Sequence, residues 1–132
     1  CDSLFEFEGE YFGKSINPNQ AFERLKRMSS SYGFLKTGHS LFSRDLSSTS
    51  KQFPKFNRIF KDVISTKVFF NQMTEKDIWS YIDTKEPLKT AGGFALEGYG
   101  SMFVSRIEGC YSNVIGLSLP WLRNILKEIN LL

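Results

Sequence analysis

Glycine density between residues 91 and 120 constrains this chain more than any other feature of its sequence. Six glycines alternate with apolar stretches in the segment A-G-G-F-A-L-E-G-Y-G-S-M-F-V-S-R-I-E-G-C-Y-S-N-V-I-G-L-S-L-P. Such density predicts tight turns, or a backbone that another group approaches closely. Residues 102–107 and 114–119 are predicted as strands, and Glu97 lies in the glycine cluster beside a strand end. On spacing alone, a glycine-rich hairpin carrying a surface glutamate is the favoured interpretation.

The composition indicates one folded domain. The chain has 132 residues, of which 41% are hydrophobic, enough for one core but not comfortably for two. No apolar run of about 18 residues occurs, so no membrane span is predicted. The net charge of +3 is mild and long basic runs are absent, which gives no support for nucleic-acid binding.

Cysteine and histidine are too sparse for several common kinds of site. Cys1 and Cys110 form no C-x-x-C pair, which argues against a zinc site or a disulfide framework and favours a reduced, cytoplasmic setting. His39 is the only histidine and has no visible partner for catalysis, so it is interpreted as structural. Because Cys1 runs straight into an apolar strand without a signal-peptide pattern, the domain is expected to be truncated at its N-terminus.

Hydrophobic periodicity predicts the element order β-β-α-β-β-α-β-β-α. Strands are predicted at residues 4–7, 34–42 and 58–70, with a bulge around Ser65, and a turn at residues 8–10 closes the first hairpin. Helices are predicted near residues 18–31, 74–84 and 120–130, and residues 43–55 are predicted to be a serine-rich loop. The buried stripe of the last helix is predicted as Trp121, Leu122, Ile125, Leu126 and Ile129. This order predicts an α/β fold, a mixed twisted sheet with flanking helices.

Four charged residues at predicted strand ends and turns are candidates for chemistry: Asp2, Lys14, Glu86 and Glu97. Hydrolysis of a phosphoanhydride needs a divalent cation held by carboxylates, a base for water, and a cation against the phosphates. The four residues could supply these parts, but spacing alone does not bring them together. Four unrelated surface charges are the alternative.

Three segments of the glycine-rich region, taken in order, resemble a known family. A-G-G-F-A-L-E-G, F-V-S-R-I-E-G and S-N-V-I-G-L-S-L-P resemble the end of the Maf-like nucleotide pyrophosphatases, the septum formation protein Maf family. Upstream, the matching segments are Asp2-Ser3, Gly13-Lys14-Ser15, Thr37-Gly38 and residues 81–87, which read Y-x-x-x-x-E-P. The resemblance therefore covers nearly all of residues 2–123, apart from the serine-rich loop.

The resemblance implies a Maf/inosine-triphosphatase-like fold and a nucleoside triphosphate pyrophosphatase activity. It implies that Asp2 is the base or a metal ligand, that Lys14 binds phosphate, and that Ser3 and Glu97 select the base of the substrate. A divalent metal cation, Mg²⁺ or Mn²⁺, suits such oxygen ligands. The expected partner is the nucleoside triphosphate itself. A homodimer is also expected, because a sheet with an unpaired edge favours self-association.

The chain departs from the family pattern at several positions. The S-x-S-P-R-R segment that opens the family is absent, Ser15 replaces a proline, Thr90 replaces a lysine, and Glu97 replaces a glutamine. With Ser3, the last two differences resemble the branch of the family that acts on 7-methyl-GTP. The absent segment leaves an alternative open, a catalytically inactive truncated remnant that acts as a protein-interaction module.

Overall fold

The computed structural model of the protein describes residues 1–43 and 58–132. These residues form a five-stranded sheet in the order β2-β1-β3-β4-β5, with helices against one face. The strands are β1 (Asp2–Phe7), β2 (Glu10–Phe12), β3 (Tyr32–Ser43), β4 (Arg58–Phe70) and β5 (Val104–Glu108). The helices are α1 (Pro18–Met28), α2 (Glu75–Asp83), α3 (Tyr111–Ile115) and α4 (Leu119–Glu128). Three 3₁₀ turns lie between α2 and β5, at Glu86–Leu88, Ala91–Gly93 and Tyr99–Phe103. The predicted α/β fold class is thereby confirmed.

The first hairpin forms where the sequence predicts it. Glu8 and Gly9 both have positive φ, 49° and 80°, which suits a tight two-residue turn between antiparallel strands. The turn sets the register in which Phe5 lies opposite Phe12. Both phenylalanines therefore point to the buried face of the sheet.

Capping side chains fix the first two helices. The Asn17 side chain accepts a hydrogen bond from the Gln20 N–H (2.8 Å), and Pro18 occupies the first helical position of α1. Thr74 and Asp77 form a reciprocal capping box at the start of α2. Both helices lie within the predicted ranges, and each turns its apolar face toward the sheet.

The core occupies one face of the sheet. Phe5 is fully buried and packs edge-on against Phe70 and Phe94, with ring centroids 5.9 and 5.4 Å away. The opposite face carries partly exposed residues, and Lys67 Nζ lies 4.0 Å from the ring centroid of Tyr32. One face is therefore apolar and covered, while the other pairs cations with aromatic rings.

Several sequence predictions are wrong in detail. Residues 114–119, predicted as a strand, instead finish α3 and begin α4, while β5 starts only at Val104, after a 3₁₀ turn. The described strands pair only in antiparallel fashion, whereas a mixed sheet was predicted. No bulge occurs at Ser65, because β3 and β4 pair without a shift and the irregularity lies at Phe69/Phe70 against β5.

The last helix buries less than its sequence pattern predicts. Of the predicted stripe only Ile125 is fully buried, while Trp121 and Leu122 are half-buried. The serine-rich loop lies outside the described residues except Ser43, which ends β3. Among the described helices, none is long and apolar enough to cross a membrane.

His39 is buried between β3 and the start of α4. Its Nδ1 lies 2.9 Å from the Thr37 carbonyl oxygen, and its Nε2 accepts a hydrogen bond from the Ser118 N–H at 2.9 Å. These partners require a neutral ring with the proton on Nδ1. The structural interpretation of His39 agrees with this geometry, because neither ring nitrogen is left for catalysis.

Candidate functional site

A cleft of about 530 Å³ opens beside the first half of β1. Strand β2 pairs only with Phe5, Glu6 and Phe7, so within the described chain the preceding residues of β1 have a strand partner on one side only. The polar lining of the cleft comes from Asp2, Ser3, Lys14, Thr90 and Glu97. Its apolar lining includes Leu4, Leu35, Phe94, Val114 and Ile115. Its volume and its mixed lining suit a small organic ligand that carries charge.

Asp2 lies at the start of β1, opposite Gly38 of β3. Its side chain is exposed, and Oδ1 accepts a hydrogen bond from the Ser3 N–H at 2.9 Å. Within residues 1–43 and 58–132 the other carboxylate oxygen forms no hydrogen bond or ion pair, so it is available to water or a cation.

Ser3 is linked to a buried polar chain beneath the cleft. Its hydroxyl oxygen lies 2.8 Å from the hydroxyl of Thr37, which is fully buried. The Thr37 hydroxyl in turn donates to the backbone carbonyl of Asn113 at 3.3 Å. Both contacts are made together only if Ser3 donates to Thr37, because each hydroxyl has one proton. In that arrangement Ser3 offers the cleft acceptor lone pairs.

Lys14 follows β2 in a turn that Arg24 holds from α1. Arg24 Nη1 donates to the Gly13 carbonyl oxygen at 3.2 Å, and the guanidinium carbon lies 4.5 Å from the Phe12 ring centroid. Burial lowers the pKa of Arg24, with a weaker opposing effect from Glu10, but an arginine remains charged at neutral pH. Within the described chain Lys14 forms no ion pair. Its ammonium group is thus free to meet an anion in the cleft.

Glu97 and Glu86 separate in the structure, although sequence reasoning grouped them. Glu97 is exposed and lines the cleft. Glu86 does not line it, because its carboxylate accepts hydrogen bonds from the N–H groups of Tyr99 and Gly100 at 2.9 and 2.8 Å. Glu86, one of the four candidates, therefore binds backbone N–H groups and does not line the cleft. Asp2, Ser3, Lys14 and Glu97 line one cleft.

Three residues around the cleft were not given a role by sequence reasoning: Thr37, Arg24 and Tyr81. Thr37 and Tyr81 belong to matched segments, but spacing does not show that either touches a site residue. Arg24 resembles any exposed arginine of an amphipathic helix, and only the fold shows that it supports the turn before Lys14. The one available sequence signal is Thr37, a polar residue at a position predicted to lie within a strand.

Comparison with known protein families agrees with this geometry. A family model described as "Maf-like protein" matches residues 1–129. The chain belongs to the Maf-like protein family. The segments quoted above, from Asp2-Ser3 to S-N-V-I-G-L-S-L-P, are thus placed within one family along almost the whole chain.

Curated relatives of this chain include proteins of Prochlorococcus marinus and Parasynechococcus marenigrum. A protein of Prochlorococcus marinus strain MIT 9301 named "Nucleoside triphosphate pyrophosphatase" is 54% identical over 93% of this chain and 60% of its own length. Proteins with the same name from Prochlorococcus marinus strain MIT 9312 and Parasynechococcus marenigrum strain WH8102 are 52% and 49% identical over 97% of this chain. The matched regions make up 62% and 61% of the length of those two proteins. The chain thus spans about three fifths of the length of these relatives.

Proposed function

We propose that this Maf-like protein hydrolyses nucleoside triphosphates to the monophosphate and pyrophosphate. The observation that carries the proposal is the convergence of Asp2, Ser3, Lys14 and Glu97 on one cleft. The name shared by relatives of about 50% identity supports the same reaction. Water attacks the α-phosphorus. The bond between this phosphorus and the oxygen that bridges the α- and β-phosphates breaks, and pyrophosphate leaves with that oxygen.

The roles of Asp2, Ser3, Lys14 and Glu97 in this proposal follow from the chemistry of their side chains. Asp2 accepts the proton of the attacking water, because its carboxylate is exposed and forms no ion pair with any residue of 1–43 or 58–132. Lys14 places its charge against the phosphates, where negative charge is concentrated. Ser3 and Glu97 contact the nucleobase, whose apolar faces can pack on residues such as Leu35 and Phe94.

The donor set in the cleft fits Mg²⁺ or Mn²⁺ held largely by the substrate. Among residues 1–43 and 58–132, no group of three or more His, Cys, Asp or Glu side chains is arranged to hold a metal. Mg²⁺ typically binds through one or two carboxylates together with phosphate oxygens, which the Asp2 carboxylate and a triphosphate would provide. When bound, the cation would offset negative charge on the phosphates.

Glu97 is proposed to favour guanine-type bases over thymine. A carboxylate only accepts hydrogen bonds, and guanine presents N–H donors on its Watson–Crick edge. The Ser3 hydroxyl, with its proton directed to Thr37, adds a second acceptor. Thr90 stands in the cleft without a charge, so nothing at that position repels the positive ring of 7-methylguanine.

The test is pyrophosphate release by the purified protein with GTP, 7-methyl-GTP, UTP and thymidine triphosphate in the presence of Mg²⁺. We expect kcat/KM for one of the guanine nucleotides to exceed that for thymidine triphosphate by at least about tenfold, since unpaired polar groups in the site penalise the wrong base. Glu97→Gln should reduce the ratio of kcat/KM between the guanine nucleotide and thymidine triphosphate. Glu23→Gln, on an exposed position of α1, is the matched control.

Two outcomes would contradict the proposal. A preference for thymidine triphosphate that Glu97→Gln leaves unchanged would remove the role of Glu97. A folded protein that releases no pyrophosphate from any nucleotide would favour the non-catalytic interaction module instead.

A cytoplasmic homodimer completes the proposal. Cys1 and Cys110 are free thiols, as expected of a protein kept in a reducing compartment. The uncovered face of the sheet exposes Tyr32 and Val63, apolar area that a second copy could bury.

A further inference from the structure

The carboxylate of Glu86 holds the backbone just after Glu97. Oε1 accepts from the Tyr99 N–H at 2.9 Å, Oε2 accepts from the Gly100 N–H at 2.8 Å, and the Tyr81 hydroxyl donates to Oε2. We refer to the side chains of Tyr81 and Glu86 as the clasp. Burial, and then the hydrogen bond to Glu86, raise the pKa of Tyr81 well above its ordinary value, so the hydroxyl remains a donor.

Two glycines of the glycine-rich segment are present because of the clasp. A Cβ on Gly98 would lie 1.8 Å from Glu86 Oε1, and a Cβ on Gly100 would lie 2.4 Å from the Tyr81 hydroxyl oxygen. Neither glycine has positive φ, so conformational freedom does not require them. Their missing side chains let the carboxylate and the phenol lie directly on the backbone.

The clasp fixes the chain on both sides of Glu97. Before Glu97, the Ala95 backbone hydrogen-bonds Tyr81, and the Ala95 carbonyl accepts from the Gly98 N–H at 3.3 Å. After Glu97, the two amides of residues 99 and 100 are bound by Glu86. The Glu97 side chain itself has no hydrogen-bond partner in the described chain, so the backbone alone sets where its carboxylate lies.

We propose that the Tyr81–Glu86 clasp is a positioning device that aims Glu97 into the cleft and thereby sets base selectivity. The inference rests on the proposed function for its consequence in substrate choice, but its geometric part does not. A polar group that must meet one edge of a base needs a backbone held to within about half an ångström. Neither clasp residue lines the cleft, so in this proposal both act only through Glu97.

The decisive variant is Tyr81→Phe, which deletes one hydroxyl and keeps the ring. Tyr99→Phe is the matched control, because Tyr99 is exposed and contributes only its backbone N–H to the clasp. In Tyr81→Phe we expect amide hydrogen exchange at residues 99 and 100 to accelerate about tenfold, since the hydroxyl no longer donates to Glu86 or binds the Ala95 backbone. The ratio of kcat/KM between the preferred nucleotide and thymidine triphosphate should fall several-fold, while Tyr99→Phe changes neither quantity.

If the clasp had a purely structural role, Tyr81→Phe would lower kcat/KM equally for both nucleotides and leave the ratio of the two values unchanged. That result overturns the inference. Faster exchange with unchanged selectivity overturns it as well. Glu86→Gln is the second variant if Tyr81→Phe does not fold. The glutamine side chain has one acceptor oxygen instead of two, so it cannot accept from both the Tyr99 and the Gly100 N–H in the way the carboxylate does. Its expected results are the same.

Failure of the proposed function has a different signature. If the unmutated protein hydrolyses no nucleotide, the claim that the clasp fixes the position of Glu97 can still be tested. The measurement is the carbon-13 NMR resonance of the Glu97 carboxyl. A resonance that shifts or broadens in Tyr81→Phe but not in Tyr99→Phe supports the clasp, and one identical in all three proteins overturns it.

Discussion

Asp2→Asn is expected to lower kcat for triphosphate hydrolysis by about 10²- to 10⁴-fold, the usual contribution of a general base. Asparagine keeps the size of the side chain and can still accept the Ser3 N–H hydrogen bond through its oxygen. It cannot take a proton from water. The measurement is steady-state pyrophosphate release, together with nucleotide binding by calorimetry. The dissociation constant measured without added metal should change much less than kcat.

Asp62→Asn provides a close control for this substitution. Asp62 is an exposed residue of β4 whose Oδ1 accepts from the next backbone N–H at 2.8 Å, the same local contact that Asp2 makes. It does not line the cleft. Equal losses of kcat in the two variants would assign the effect to the strand backbone and remove Asp2 from the mechanism.

Local patterns predicted most elements because local physics decides them. The capped starts of α1 and α2 and the hairpin turn at Glu8 and Gly9 depend on side chains within a few residues. Strand β4 was predicted over its observed range, Arg58–Phe70, since β-branched and aromatic residues recur along it.

The predicted strand at residues 114–119 failed because tertiary contacts outweigh a β-prone composition. The Asn113 side-chain amide is buried and donates to the Ile64 carbonyl oxygen at 2.9 Å and to Thr66 Oγ1 at 3.1 Å, which ties a short helix to β4. Ser118 then caps α4 by accepting from the Trp121 N–H. The serine two positions before Pro120 was the available sign of a helix start.

The cleft could be anticipated from the family resemblance but not from spacing. Asp2, Lys14 and Glu97 come from different parts of the chain, and only the sheet order and the 3₁₀ turns bring them together. For the same reason, spacing does not show that the candidate Glu86 lies outside the cleft. A carboxylate beside a proline could serve chemistry or structure, and the difference depends on two backbone N–H groups more than ten residues away.

The 3₁₀ turn Ala91–Gly93, between two cleft residues, gives the largest expected effect on stability. Gly92 has φ of 73°, and a Cβ there would lie 2.7 Å from the Phe5 Cβ. Phe5 cannot move aside, because it is fully buried against Phe70 and Phe94. Gly92→Ala should therefore combine left-handed strain of about 1–2 kcal/mol with overpacking of about 1–3 kcal/mol.

Gly9→Ala separates the two contributions to the loss. Gly9 has a similar φ of 80°, but nothing lies within 4 Å of a Cβ built there, so only backbone strain should appear. Urea unfolding gives the free energy of unfolding of both variants. We expect Gly9→Ala to be more stable than Gly92→Ala by about 1–3 kcal/mol. Equal losses would mean that the core yields to the added methyl group. In that case glycine at position 92 would be required by backbone conformation alone, and the close packing of Phe5 under the cleft would not be what holds this turn in place.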